Sequence, residues 1–286
     1  MVNSVMGVSR DITERIQAGR ALKEYSERLE EMVGERTAEL QDALQKAQLA
    51  DKLKSEFIAN INHELRTPMT NLVLYHQLLR ADPAVKTRER LDVIGREIQR
   101  LRILIEDLLK LSRLDTRQMV FRPMPQDLNR IIRTLVGDRT AIANERGLSL
   151  TIELQSDLPA IWLDEIMVVQ VISNLLTNAL NYTCEGGQVN ISTCSMADRS
   201  GNPGVVFIVK DTGPGISQED LPHLFERFFR GEAGHSAGVP GTGFGLAIVK
   251  QMVEIHHGRI EVENAETGPG AVFTVWLPLE QALEVS

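Results

Sequence analysis

The chain has 286 residues, 43% hydrophobic and 24% charged, with a formal net charge of -8. That balance suits a globular protein of about two domains and leaves no basic face for a nucleic-acid backbone. Two cysteines, Cys184 and Cys194, exclude a disulfide framework and lack metal-ligand spacing, and no apolar run is long enough to span a bilayer. A reducing, cytoplasmic setting is expected for this portion, with any membrane anchor upstream.

Val5 to Val8 can form a strand, and Gly7, Asp11, Ile12 and Thr13 resemble the last strand and exit of a PAS sensor domain; a disordered tail is the other reading of residues 1–13. From Glu14 to Leu53 the chain is rich in Glu, Lys, Arg, Gln, Ala and Leu and has no proline, which predicts a long exposed helix with coiled-coil character over residues 14–52. Leu22, Tyr25, Leu29 and Met32 keep an a/d pattern. Val33, Leu40 and Ala47 resume it in a frame shifted by four, a stutter that unwinds a supercoil. Arg36 and Lys54 fall in the seam. Such a rod can serve dimerisation alone, or can carry a signal between two packings.

Ile61, Leu65, Pro68, Leu72, Tyr75 and Leu79 recur at alternating spacings of four and three, one stripe along a helix ending near Asp82-Pro83. His63 points away from that stripe, toward solvent. Glu64 follows it, and Thr67 lies one turn on. Pro68 cannot donate to the Glu64 carbonyl, so a kink is expected there. A second helix, about Thr87 to Leu114, carries Leu91, Ile94, Ile98, Leu101, Ile105 and Leu108. One hairpin over residues 53–116 cannot bury both stripes; two can, as a four-helix bundle in a homodimer.

After Asp115 the period breaks at Arg122-Pro-Met-Pro125, and residues 117–125 read as a hinge. Residues 126–280 alternate strands and helices. Helices are expected at Leu128–Arg146, Asp164–Tyr182 (capped by Asp164), Gln218–Phe229 and Phe244–His256. Strands are expected at Leu148–Leu154, Gln188–Ser195, Val205–Lys210, Arg259–Val262 and Ala271–Leu277; residues 281–286 are a tail. This is an α/β domain large enough for its own core.

Gln170, Asn174 and Asn178 place three amides on one helix face, continued by Asn181 and Tyr182. Asparagine is a poor helix former, and amide oxygens suit a hard cation such as Mg²⁺. Asp211-Thr-Gly-Pro-Gly-Ile216 follows a strand; its carboxylate can accept from an exocyclic amino group while the glycines let backbone approach a flat ligand. Gly241-Thr-Gly-Phe-Gly-Leu246 opens a helix, and backbone N–H groups at such a start bind anions. A dinucleotide fold would place that fingerprint straight after a strand; here Gly231 to Pro240, a Gly-, Ala- and Ser-rich lid, precedes it. Leu224-Phe-Glu-Arg-Phe-Phe-Arg-Gly231 supplies aromatic anchors and two arginines.

In order and spacing these motifs resemble the sensor histidine kinases of two-component signalling. His63 to Pro68 matches that family's histidine box, Asn174 to Asn178 its asparagine box, Asp211 to Gly215 and Gly241 to Gly245 its glycine boxes, and Phe225 to Phe229 its phenylalanine box. The resemblance implies a multi-domain chain: an all-α coiled coil and dimeric four-helix bundle, then an α/β two-layer sandwich of the Bergerat ATP-binding type. It implies ATP and Mg²⁺ as ligands, a response-regulator receiver domain as partner, and an upstream sensor domain. His63 would accept phosphate, Glu64 act as general base, and Thr67 orient water in dephosphorylation. Asn178, supported by Asn174, would hold Mg²⁺. Asn181, Tyr182, Asp211, Gly213, Gly215, Ile216, Phe225, Arg230, Gly241, Thr242, Gly243, Phe244, Gly245 and Leu246 would form the nucleotide site. The family often has lysine at Asn181, which leaves phosphate neutralisation there in doubt. The alternatives are a phosphatase of the regulator, a scaffold with a vestigial nucleotide site, and an ATPase clamp of the same fold.

Overall fold

The computed structural model describes residues 2–82, 86–116, 119–198, 200–231, 242–266 and 268–279, and for some helical positions before residue 57 and for Asp115 the backbone only. Contacts divide the chain into Met1–Asn62 and His63–Ser286. Helix α1 runs over Val2–Ala81. Val5 to Val8 are therefore helical, which corrects the expected strand. A lone strand has no partner to satisfy its backbone, whereas a helix satisfies its own.

In the first unit, Arg36–Glu39 and Lys46–Asp42 ion pairs, each 2.7 Å, support the helix one turn apart. Tyr25, Leu29, Met32, Val33, Leu40 and Leu44 are all exposed. A single helix cannot cover them, as a seam awaiting a second helix requires.

In the second unit, α1 runs unbroken through a buried Pro68 and pairs with α2, Thr87–Asp115. Arg90 closes the C-terminus of α1, donating to the carbonyls of Leu78 (2.7 Å) and Asp82 (2.8 Å). The α2 stripe divides by heptad position. Leu104, Leu111 and Leu114 are buried and Ile94, Leu101 and Leu108 half-buried, while Leu91, Ile98 and Ile105 are exposed. One row of the stripe is thus left uncovered by this chain.

The remainder is an α/β sandwich. Its five-stranded sheet has the order β2-β4-β5-β7-β6, from Ser149–Leu154 (β2), Gln188–Ser195 (β4), Gly204–Asp211 (β5), Arg259–Asn264 (β6) and Ala271–Pro278 (β7). Only β2 and β4 run parallel. Helices α3 (Leu128–Glu145), α4 (Glu165–Tyr182) and α5 (Gly245–Ile255) pack on the sheet. Ala271, Phe273, Val275 and Leu277 alternate inward along β7, as period two dictates. They meet Val171, Ile172, Leu175 and Leu176 of α4 and Ile248, Val249 and Met252 of α5 in one core.

Two elements depart from expectation. Gln218–Phe229 is not an α-helix; it is a 3₁₀ turn, Leu221–His223, followed by irregular turns. Pro222 breaks the donor ladder, and Phe228 sits at φ 67. The segment read as a hinge also gains a strand: β1 (Met124–Gln126) pairs antiparallel with β3 (Ile161–Leu163), aligning Pro125 with Trp162. Arg117 and Gln118 lie outside the described residues, as do Pro83 and the tail after Leu279.

Asp164 fastens this corner. Its Oδ1 caps α4, accepting from the N–H groups of Ile166 (3.1 Å) and Met167 (3.2 Å), and its Oδ2 accepts from Arg122 N–H (3.0 Å). The Asp164 N–H donates to His256 Nε2 at 3.0 Å, and His256 Nδ1 lies 2.8 Å from the Met252 carbonyl, which fixes the proton on Nδ1. Phe121 stands edge-on to this ring, centroids 4.9 Å apart. Burial lowers the proton affinity of His256 below its ordinary value of 6.5. The folded state disfavours its charged form, so stability falls as pH drops below about 6.5 toward the lower folded value. Replacing the ring by His256→Ala leaves the Asp164 N–H unpaired beside a cavity and costs about 2–4 kcal/mol in urea denaturation at pH about 7.5. The gap to the parent narrows toward pH about 5.5, because only the parent carries this histidine penalty.

Candidate nucleotide site and phosphoacceptor helix

A cleft of about 1440 Å³ opens between α4, the β5 exit, the start of α5 and one side of α2. It has ample room for a nucleotide. Asp211 lies at its floor, 5% exposed. Its Oδ1 accepts from Gly213 N–H (2.8 Å) and Ala271 N–H (3.3 Å). Burial raises its proton affinity above the usual carboxylate value, and these hydrogen bonds offset part of that.

The glycine turn after Asp211 is held by Asn264, which no sequence motif marked. Asn264 accepts from Ile216 N–H and donates to the Ile216 carbonyl, both at 2.8 Å. Gly215 has φ 78, and a Cβ there would meet Asn264 Oδ1 at 2.9 Å. Gly243 has φ 72, and a Cβ would meet Phe228 Cα at 2.7 Å. Phe228 N–H donates to the Gly243 carbonyl at 2.9 Å, joining the phenylalanine segment to the second glycine turn.

The amides of α4 are not equivalent. Gln170 donates to Asn174 (2.8 Å), and Asn174 donates to the Gly245 carbonyl (3.2 Å), so Asn174 holds the start of α5. Asn178 lines the cleft and has no hydrogen-bond partner among the described residues. A half-buried amide in a cleft, left without a partner, fits a hard cation or phosphate water shell. Asn181 Oδ1 accepts from Arg146 Nη1 at 2.7 Å, which brings a guanidinium beside the position where lysine was expected. Arg146 is 35 residues away in sequence, so spacing could not have found it.

Of the residues expected in the site, Asn178, Asn181, Tyr182, Asp211, Gly215, Ile216, Arg230, Thr242, Gly243, Gly245 and Leu246 line the cleft. Asn174, Gly213, Phe225 and Phe244 do not. Phe244 is fully buried against Phe228, 4.4 Å between centroids, and the Phe225 ring faces Lys250 at 6.0 Å. Gly241 and residues 232–240 lie outside the described residues. Leu224 and Phe229 of the aromatic segment also line it, while Thr177 joins unpredicted, as do Arg96, Arg100 and Ile103 of α2. Among the described residues, no cluster of three His, Cys, Asp or Glu side chains could hold a metal.

His63 is outside the cleft, with its side chain 77% exposed. Its Nδ1 lies 3.8 Å from Glu64 Oε1, beyond hydrogen-bond range but within reach of a small torsion. Glu64 Oε2 is held by Arg100 Nη2 at 3.0 Å. Thr67 Oγ1 donates to the His63 carbonyl at 3.3 Å. Two contacts fix α2 against the α/β layer: Thr242 donates to Asp107 Oδ2 (2.7 Å), and Lys110 donates to Gln170 (3.3 Å).

A helical hairpin presenting an exposed histidine, followed by a sandwich with an asparagine-lined cleft, defines a histidine kinase core. Residues 53–117 match the His Kinase A (phospho-acceptor) domain, and residues 163–281 match the Histidine kinase-, DNA gyrase B-, and HSP90-like ATPase family. The chain belongs to the sensor histidine kinases of two-component systems. It is similar to the circadian input-output histidine kinase CikA of Synechococcus elongatus, 34% identical over 269 residues, covering 92% of this chain and 35% of that protein. The solved structure of full-length ShkA in complex with AMPPNP is 30% identical with a TM-score of 0.57, covering 79% of this chain and 46% of that one. Histidine kinase ThkA, solved in complex with response regulator protein TrrA, shares the fold at 24% identity and a TM-score of 0.64, over 78% of this chain and 61% of that one. The chain thus spans about a third of CikA's length. Among the described residues, no helix is long and apolar enough to cross a membrane.

The carboxylate at the cleft floor carries a stability cost. A carboxyl whose folded proton affinity is raised contributes stability below its unfolded value, lost as pH rises through the folded one. Asp211→Asn keeps an oxygen for both N–H donors and removes the buried charge. In the ligand-free chain its urea midpoint at pH about 7 is expected to equal or exceed the parent's, with the gain vanishing toward pH about 4. A lower midpoint at neutral pH would show that the charge strengthens those hydrogen bonds by more than its burial costs.

Proposed function

We propose that this chain transfers the γ-phosphoryl group of ATP to His63 and then to an aspartate of a response-regulator receiver domain. The observation that carries the reading is His63, exposed beside Glu64 on the bundle helix, in the same chain as a cleft floored by a buried Asp211. Asp211 has its Oδ1 occupied by backbone, and its remaining acceptor suits the adenine amino group. The N–H groups at the start of α5, with Arg230 nearby, favour the phosphates. Asn178 is the residue to hold Mg²⁺, which when bound would neutralise phosphate charge. Positioning and charge neutralisation supply most of the rate in such transfers.

The exposed stripe of Leu91, Ile98 and Ile105 and the exposed seam of α1 favour a homodimer, which would complete a four-helix bundle. A sensor domain upstream of α1 completes the proposed signalling chain, and a cytoplasmic location suits the reduced cysteines. The phosphatase reading draws on Thr67 and on the standing of His63 outside the cleft, open to a second protein.

With ATP labelled at the γ position and Mg²⁺ present, the chain should gain acid-labile, base-stable phosphate, and His63→Gln should gain none while still binding a fluorescent ATP analogue. Label retained by His63→Gln would overturn the assignment. Asn178→Ala should lower the labelling rate by about a hundredfold, within the range for removing one preorganised polar contact at a charged transition state.

A further inference from the structure

The reaction needs a proton acceptor at His63, yet neighbouring residues on a helix diverge by about 100°. A free Glu64 side chain would spend most of its time in solvent. In this structure it does not. Arg100, on the other helix of the hairpin, holds Glu64 Oε2 at 3.0 Å and leaves Oε1 facing His63 Nδ1 at 3.8 Å. Both partners of this ion pair are shielded, with side-chain exposures of 33% and 25%, whereas His63 stands 77% exposed. The nucleophile is wet, and the pair beside it is sheltered.

We infer that Arg100 is a positioning residue for phosphorylation of His63, tethering Glu64 by one oxygen so that the other is aimed at Nδ1. The inference rests on the phosphoacceptor reading above and adds a residue from α2 to it. With Nδ1 facing Glu64, Nε2 is the nitrogen left for attack. The N–P bond forms at Nε2 as the bond from the γ-phosphorus to the bridging oxygen breaks. That electron pair leaves with ADP, and the Nδ1 proton passes to Glu64 Oε1. The carboxylate then becomes a neutral acid, and Arg100 keeps a hydrogen bond to its Oε2. Arg100 also lines the nucleotide cleft with Arg96, so direct contact with phosphate is the rival role.

The two roles separate in the steady state. Initial rates of His63 labelling are measured across ATP concentrations for the parent, Arg100→Ala, Arg100→Lys, Glu64→Ala and the double variant Glu64→Ala/Arg100→Ala. Arg100→Ala should lower kcat by about tenfold to a hundredfold with KM for ATP changed by less than about threefold, as loss of orientation at a general base predicts. Arg100→Lys should recover much of the rate. In the Glu64→Ala background Arg100→Ala should have no further effect, because the arginine acts through the glutamate. Circular dichroism melts accompany each variant; if Arg100→Ala melts early, Arg100→Met, which keeps the apolar stem, carries the comparison. An unchanged kcat overturns the inference, as does a raised KM at constant kcat, or a loss that persists undiminished without Glu64. A parent chain labelled at His63 with full-rate Arg100 variants removes only this inference; label surviving in His63→Gln removes the reading beneath it.

Discussion

The asparagine helix points where it does because Asp164 holds its N-terminus. One buried carboxylate satisfies two orphan N–H groups of α4 and receives a third from Arg122, while its own N–H rests on His256. Each of these donors would be costly to leave unpaired inside the domain. The cluster sets the start of α4, ties the end of α5 through Met252, and fixes the chain arriving from α2. Asn178 sits between three and four turns along α4 from this anchor, so the aim of its amide is inherited from hydrogen bonds at the far end of the helix.

The hairpin is constrained in the opposite way, by surface it cannot cover. Leu104, Leu111 and Leu114 are buried within the chain, but Leu91, Ile98 and Ile105, seven residues apart, remain in water. Apolar side chains in heptad register on a long helix are stable when another helix meets them. Placing His63 off both stripes leaves it accessible whichever way the bundle is completed. A histidine among the core leucines would be shielded from nucleotide and partner alike.

Much of this was legible from spacing alone. Strand Gln188–Ser195 and the helices of the sandwich fall within a residue or so of their expected bounds, because period and capping are local signals. What escaped was set by distant contacts. Leu221–His223 and the turns after it gave up the helical form that their pattern suggested, since Phe228 must take a positive φ to meet Gly243. The β1–β3 pair is too short for alternation to mark. Arg100, Arg146 and Asn264 act on partners 36, 35 and 48 residues away, separations that no motif records. Conversely, Phe225 and Phe244 belong to motifs, yet one faces Lys250 and the other fills the core.

The contact between Asp107 and Thr242 has an energetic character of its own. Burial against the α/β layer raises the proton affinity of Asp107, and this outweighs the lowering by the Thr242 hydroxyl. The carboxylate is thus worse off for its surroundings even while it accepts a 2.7 Å hydrogen bond. Pulling α2 away forfeits that bond but returns an anion to water, and the two changes oppose each other. The hydroxyl of Thr242 therefore fixes where the glycine turn meets α2, while the carboxylate it donates to gains less from the contact than its short distance suggests.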